Sequence, residues 1–276
     1  MIKILVDSAS DCRKEDNVYD YFVPLTINFD GTEYRGGIDI DSDTFYEKLL
    51  QTKSFPRTSQ PSPQDFLEIF EEIKESGDEL ICFTISSELS GTYQGAMMAK
   101  NIVEYDGIYV IDSRTATHMI GLMAQYARKL IADGLKAAEI VEKCEALKSR
   151  VKVFAGVDTL EYLFRGGRMS RATAAVGELA SIKPVLTVTA EGKVEAVKKC
   201  LGRSRATQFI VDQVTAMELD ETFPVYSVYT YNIENCEQLE KKLESKGVAV
   251  AGRRQIGSTI GTHTGPGVYG VMFVVK

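Results

Sequence analysis

Short apolar runs and longer helical patterns alternate along the first half of the chain. Residues 2–7 read IKILVD, 79–86 ELICFTIS and 107–113 GIYVIDS, three β-branched runs too short for helices. Around them FYEKLL, DFLEIFEEIKES, TYQGAMMAKNIVEY and MAQYARKLIADG carry apolar residues at helical spacing. Strand, helix, strand in this order is the sequence form of βαβ units on a parallel sheet. Phe66, Ile69, Phe70 and Ile73 share one face of a helix that packs on that sheet. Ser62 suits its cap and Pro63 its first helical position.

The character changes after KVFAGVDTLEYL. Arg165, Gly166, Gly167 and Arg168 form a glycine turn flanked by two cations. A second set of strands is then predicted at IKPVLTVT, KVEAVKKCL, PVYSVYTY and VYGVMFVVK. The pattern predicts a two-domain α/β protein, with a parallel-sheet N-terminal domain over 1–150 and a smaller α/β domain over 151–276. At 276 residues and 44% hydrophobic content the chain can fill two cores. No repeat of fixed period and no low-complexity segment is visible.

The net charge of −7 is spread through helical stretches of mixed sign, so no basic face stands out and a nucleic-acid partner is not expected. Cys12, Cys82, Cys144, Cys200 and Cys236 are odd in number, far apart and without a Cys-x-x-Cys pair. That argues against a disulfide framework and a structural zinc site and for reduced, mostly buried thiols. The N-terminus runs straight into a strand with an acid at position 7, unlike a signal peptide. No apolar stretch approaches the roughly 18 residues that span a bilayer. A cytoplasmic location is expected.

Four places are more polar and glycine-rich than plain connections require. Asp7-Ser8-Ala9-Ser10-Asp11 follows the first strand, where parallel sheets build a crevice, although a turn of helix-capping residues fits equally well. Arg57-Thr58-Ser59-Gln60-Pro61-Ser62-Pro63 is kept extended by its prolines; it either presents Thr58 in one direction or simply leads into a helix. Ser86-Ser87-Glu88-Leu89-Ser90-Gly91-Thr92-Tyr93 opens a helix after a strand, and its free N–H groups welcome a carboxylate or phosphate beside Ser90 and Gly91. Gly261-Thr262-His263-Thr264-Gly265-Pro266-Gly267 carries one of only two histidines. His118 reads as a packed or capping residue. His263, in a loop whose glycines let the backbone approach a ligand, is the better ligand candidate. No two histidines are close and no His/Cys/Asp cluster has ligand spacing, so no metal is expected. Neither G-x-x-x-x-G-K-[ST] nor G-x-G-x-x-G after a strand is present, so no nucleotide cofactor is expected.

DSASD, RTSQPSP, ISSELSGTYQ, DTLEYLFRGGR and IGTHTGPGVYG, in that order from residue 7 to the C-terminus, resemble the DegV family, the fatty-acid-binding subunits of bacterial fatty acid kinase. The resemblance implies a DegV-like fold in which two domains enclose one long-chain fatty acid, with its carboxylate held by Thr58, Ser90 and His263. It further implies a separate kinase catalytic subunit that makes acyl-phosphate from the presented acid, and a transient membrane contact. Arg165 and Arg168 of FRGGR, and Arg203 or Arg205 of GRSRA, would lie near the carboxylate or face the kinase. On this reading the chain is a carrier without chemistry of its own and without a cofactor. A serine hydrolase using Ser90, His263 and an acid such as Asp7 is the rival, although no G-x-S-x-G elbow is present.

Overall fold

Ile4, Leu5 and Val6 are all sealed from solvent, as befits a strand paired on both edges and covered on both faces. In the computed structural model, which describes residues 1–52, 54–170 and 181–276, strand β1 (Ile2–Asp7) lies between β2 (Tyr21–Val23) and β6 (Glu79–Thr84). Strand β7 (Ile108–Asp112) completes an all-parallel sheet in the order β2-β1-β6-β7. Helices α2 (Pro63–Ser76) and α3 (Thr92–Val103) cover one face, where Phe66, Phe70, Ile73, Ala96 and Ala99 meet Leu5, Leu80, Cys82 and Ile108. By strand alternation Ile4, Val6 and Ile81 turn to the other face, against which α4 (His118–Ala132) and α5 (Ala137–Leu147) pack. Ser62 caps α2 as expected, its amide and hydroxyl both donating to Asp65 at 2.7 and 2.8 Å, with Pro63 first in the helix.

A hairpin absent from the sequence reading joins this unit. Strands β3 (Thr26–Phe29) and β4 (Thr32–Arg35) pair antiparallel across Asp30-Gly31, whose φ values of 52° and 81° are those of a type I′ turn. Strand β5 (Arg57–Ser59) adds on the other side of β3. The Asp-Gly pair was the signal that could have found it.

The chain divides into two compact units. The first comprises Met1–Asp39, Thr58–Ser149 and Ala190–Gly192; the second Ile40–Arg57, Arg150–Thr189 and Lys193–Lys276. The second is built on a six-stranded sheet of order β10-β9-β8-β13-β11-β12. Its strands are β8 (Val151–Gly156), β9 (Ile182–Val188), β10 (Val194–Leu201), β11 (Tyr226–Tyr229), β12 (Gly252–Gln255) and β13 (Tyr269–Val274). Neighbours are antiparallel except β11 and β12. Helices α7 (Arg203–Thr215) and α8 (Glu234–Ser245) bring Ala206, Ile210, Val214, Leu239 and Leu243 onto Phe154, Val185, Val271 and Phe273.

Helix α1 (Ser42–Gln51) belongs to this second unit despite its early place in the chain. Tyr46, fully buried, donates its hydroxyl to the Ile256 carbonyl at 3.0 Å, and the Gln255 amide reaches Asp43 at 2.8 Å. With residues 40–57 included, the second unit is no smaller than the first. All five cysteines are unbridged and four are buried. Among the described residues no helix is long and apolar enough to cross a membrane.

Candidate functional site

In the first unit the chain leaves β1 for β2 on one side and returns to β6 on the other. The carboxyl ends of β1 and β6 therefore flank a topological switch point, where open α/β sheets bind ligands. The DSASD segment sits there as a 3-10 turn over Ser8–Ser10. Its polar groups are used within the chain. Asp7 accepts from the Ala9 and Ile85 amides at 2.8 and 2.7 Å, one per carboxylate oxygen. Ser8 Oγ accepts from the Leu25 amide at 2.9 Å, and Ser10 Oγ donates to the Asp7 carbonyl at 2.6 Å. Thr117 donates its amide to the Ala9 carbonyl at 2.7 Å and its hydroxyl to Asp11 at 2.6 Å. The segment ties together the loops that follow β1, β2, β6 and β7. Complete burial pushes the Asp7 carboxyl up to about 7, outweighing the two amides that favour its ionised form.

The loop after β6 is anchored in the same way. Ser87 donates its amide and hydroxyl to Asp112 at 3.1 and 2.6 Å, and Ser90 donates its amide to the Ser86 carbonyl at 3.1 Å. Ser90 Oγ lies 2.8 Å from Thr92 Oγ1. In such a pair one proton lies between the oxygens and the other is left for a further acceptor. Thr92 is fully buried and Ser90 only partly, so Ser90 Oγ is the one of the two oxygens that another molecule can reach. Gly91 caps α3 without a side-chain hydrogen bond, leaving the helix start to other partners. A Cβ at Gly91 would collide with the Gln60 amide, so glycine there lets Gln60 lie against the helix start. The Thr58 and Ser90 loops are thereby brought together within one unit, Thr58 partly buried in β5. Gln60 was not singled out from sequence; its side chain is exposed and its contact lies about thirty residues away.

His263 lies in the second unit, and not in a loop. Ser258–Thr264 form a short helix, α9. The motif's glycines lie close against other side chains of the protein. A Cβ at Gly261 would meet the Tyr46 hydroxyl, at Gly265 the Tyr162 ring, and at Gly267 the Asp158 carboxylate. Gly166 has the same relation to His263 Nδ1, a role the sequence did not reveal. Burial, with the Arg168 guanidinium adding to it, pushes the His263 imidazole down to about 3. The ring is neutral at physiological pH and can donate one N–H.

FRGGR is the C-terminal stop of α6 (Glu161–Arg165). The Arg168 amide bonds the Leu163 carbonyl and the Gly167 amide that of Phe164, at 2.9 and 3.0 Å, with Gly167 at φ 74°. This Schellman turn carries Arg168 back toward His263. Arg165 is engaged elsewhere: it pairs with Glu161 at 2.7 Å and stands 4.1 Å over the Phe55 ring. Arg203 makes a two-pronged pair with Asp158, which also holds Lys183 at 2.9 Å. Arg205 is exposed in the first turn of α7. Among the described residues no group of three His, Cys, Asp or Glu side chains could hold a metal ion. His118 begins α4 and is buried.

Each unit has its own chemistry: the first carries serine and threonine hydroxyls at the edge of a parallel sheet, the second a neutral imidazole near an arginine. The chain belongs to the DegV family, whose model matches residues 1–276. A DegV domain-containing protein of Caldanaerobacter subterraneus is 37% identical to it, over 100% of this chain and 99% of that one. Among solved structures, a fatty-acid-binding DegV family protein of Thermus thermophilus superposes with a TM-score of 0.88 at 32% identity. A stearic-acid-binding protein of Eubacterium ventriosum does so at 0.89 and 33%. Each comparison covers 100% of this chain and 99% of the other.

Proposed function

We propose that this protein holds one long-chain fatty acid by its carboxylate and presents it to a separate kinase subunit for acyl-phosphate formation, as a cytoplasmic carrier with no catalysis of its own. The observation that carries the first part is full-length similarity to the Thermus thermophilus and Eubacterium ventriosum fatty-acid binders. Thr58 and Ser90, with His263, are the carboxylate donors in this reading; Arg168 supplies nearby positive charge, and Arg165 or Arg205 faces the kinase. The partly exposed Ser90 hydroxyl, the start of α3 without a side-chain cap and the neutral His263 ring support it. The hydrolase alternative is weakened because both oxygens of Asp7, its candidate acid, accept backbone amides.

Energies divide the labour. Burying about fourteen methylenes at roughly 0.8 kcal/mol each gains on the order of 11 kcal/mol before ordering costs. A hydrogen bond to a charged carboxylate contributes about 1.5–3 kcal/mol. The acyl chain therefore sets affinity, and the polar donors set which end faces out. Mass spectrometry of an organic extract of the purified protein is expected to find one equivalent of a long-chain fatty acid; no lipid, and no uptake of added palmitate, would overturn the reading. The variant carrying Ser90→Ala and His263→Ala should retain lipid but deliver it poorly in a kinase-coupled acyl-phosphate assay. Complete loss of lipid from it would refute this division.

A further inference from the structure

We infer that Asp7 and Ser86 are positioning residues that aim the Ser90 hydroxyl, so that two side chains outside the carboxylate contacts set the preference for an acid head group; this rests on the fatty-acid reading above. Ile85 is the first residue after β6, and its amide is fixed at 2.7 Å by Asp7, a carboxylate sealed from solvent. Ser86, also sealed, uses every polar group it has. Its amide donates to the Thr115 carbonyl at 2.9 Å. Its hydroxyl donates to the Gly192 carbonyl at 2.8 Å and accepts from the Glu88 amide at 3.3 Å. Its carbonyl accepts from Leu89 and Ser90 at 2.9 and 3.1 Å. The backbone that carries Ser90 is thus wound around one serine, which is in turn registered on β1 through Asp7.

The Ser86 hydroxyl has a demanding partner. Gly192 has φ 90°, a conformation side chains rarely adopt, and a Cβ there would collide with Ser86 Oγ. The tip Ala190–Gly192 is accordingly part of the first unit, seated on Ser86. A buried hydroxyl bonded on both sides has nothing left for a ligand, whereas Ser90, four residues on, is partly exposed. The geometry assigns Asp7 and Ser86 to orientation and Ser90 to contact.

A position-dependent effect separates this from general weakening of the fold. The full chain, stripped of lipid, is titrated with palmitate and with 1-hexadecanol by displacement of cis-parinaric acid, and the ratio of the two dissociation constants is taken. A merely structural defect weakens both ligands and leaves the ratio unchanged. Ser90→Ala is expected to lower the acid preference about tenfold or more, the loss of one bond to a charged group. Ser86→Ala and Asp7→Asn should each lower it several-fold while 1-hexadecanol binding holds. Ser86→Ala added to Ser90→Ala should change the ratio by no more than about twofold, since it acts through the hydroxyl already removed. The inference is overturned if Ser90→Ala lowers the ratio but Ser86→Ala does not, or if the two losses multiply in full. If wild type shows no acid preference, the carboxylate reading itself fails, a distinct result. Should Asp7→Asn not fold, Ser86→Ala decides.

Discussion

Replacing Asp7 by asparagine removes a charge while keeping shape, and the consequence should depend on pH in a defined direction. Burial moves the carboxyl from an ordinary value of 3.8 up to about 7. Between those values the folded chain keeps a proton that the unfolded chain has released, so this site's contribution to stability falls as pH rises. The slope is about −1.4 kcal/mol per pH unit, and the full displacement is worth about 4 kcal/mol. Asparagine has no such term. It carries only one acceptor oxygen for the two amides of Ala9 and Ile85, and the amide left facing its NH2 group costs about 1–3 kcal/mol at every pH. Below about pH 3.8 the variant should therefore be the less stable protein by that amount, and from there the gap narrows. By pH 8 the gap should close or reverse. The chain has no tryptophan, so urea unfolding is followed by far-ultraviolet circular dichroism, using the transition that the substitution shifts. A gap that stays constant, or widens with pH, would refute the reasoning, because it would mean that the two amides hold the carboxylate ionised against its burial.

The remaining predictions concern His263. Its imidazole is lowered from 6.5 to about 3 by burial and then by Arg168. The unfolded chain takes up the proton first as pH falls, so this contribution is complete above 6.5 and is lost toward 3. The ring's Cε1 proton resonance should stay flat from pH 8 to about 4.5 and vanish in His263→Gln, which identifies it among two histidines; a midpoint near 6.5 would contradict burial of the ring. Gly166 has φ −74°, which suits alanine, so Gly166→Ala tests chiefly the contact with His263 Nδ1, with the Tyr162 carbonyl oxygen 3.0 Å from the added Cβ. It should cost about 1–3 kcal/mol in urea unfolding and reduce the palmitate preference over 1-hexadecanol about tenfold. An unchanged preference would separate the position of the ring from head-group binding.

Much of the fold was legible because buried strands write themselves as continuous apolar runs. β1, β6 and β7 are covered on both faces and stand out as IKILVD, ELICFT and IYVID. β12 is the opposite case. Its residues, GRRQ, sit at a sheet edge and are held by pairing with Tyr226–Tyr229, so no apolar period marks them. The hairpin of β3 and β4 escaped because β4 reads TEYR, largely exposed, and only the Asp-Gly turn announces it. Helix α1 was legible as a helix, but its membership in the second unit depends on Tyr46 reaching Ile256, 210 residues away. Local patterning records which face of a helix is apolar and is silent about which distant surface receives it.

The candidate site was legible as chemistry and illegible as a division of roles. Ser8, Ser10, Ser86 and Ser90 are the same residue type in similar turns after parallel strands. Burial and partners separate them. Ser8 is spent on Leu25, Ser10 on the Asp7 carbonyl and the Cys12 amide, and Ser86 on Gly192 and Glu88. A buried hydroxyl left without such partners would cost about 1–3 kcal/mol, so the inner serines are held to structural bonds by the expense of leaving them unmade. Ser90 is under no such constraint, since its partial exposure lets water complete its bonds. The glycines around His263 each make room for a neighbouring side chain of the protein. A polar turn at a sheet edge is therefore a poor guide to ligand contact until each hydroxyl's own bonds are counted. On that count, of Ser8, Ser10, Ser86 and Ser90, Ser90 is the one that is partly exposed, its hydroxyl paired with that of Thr92.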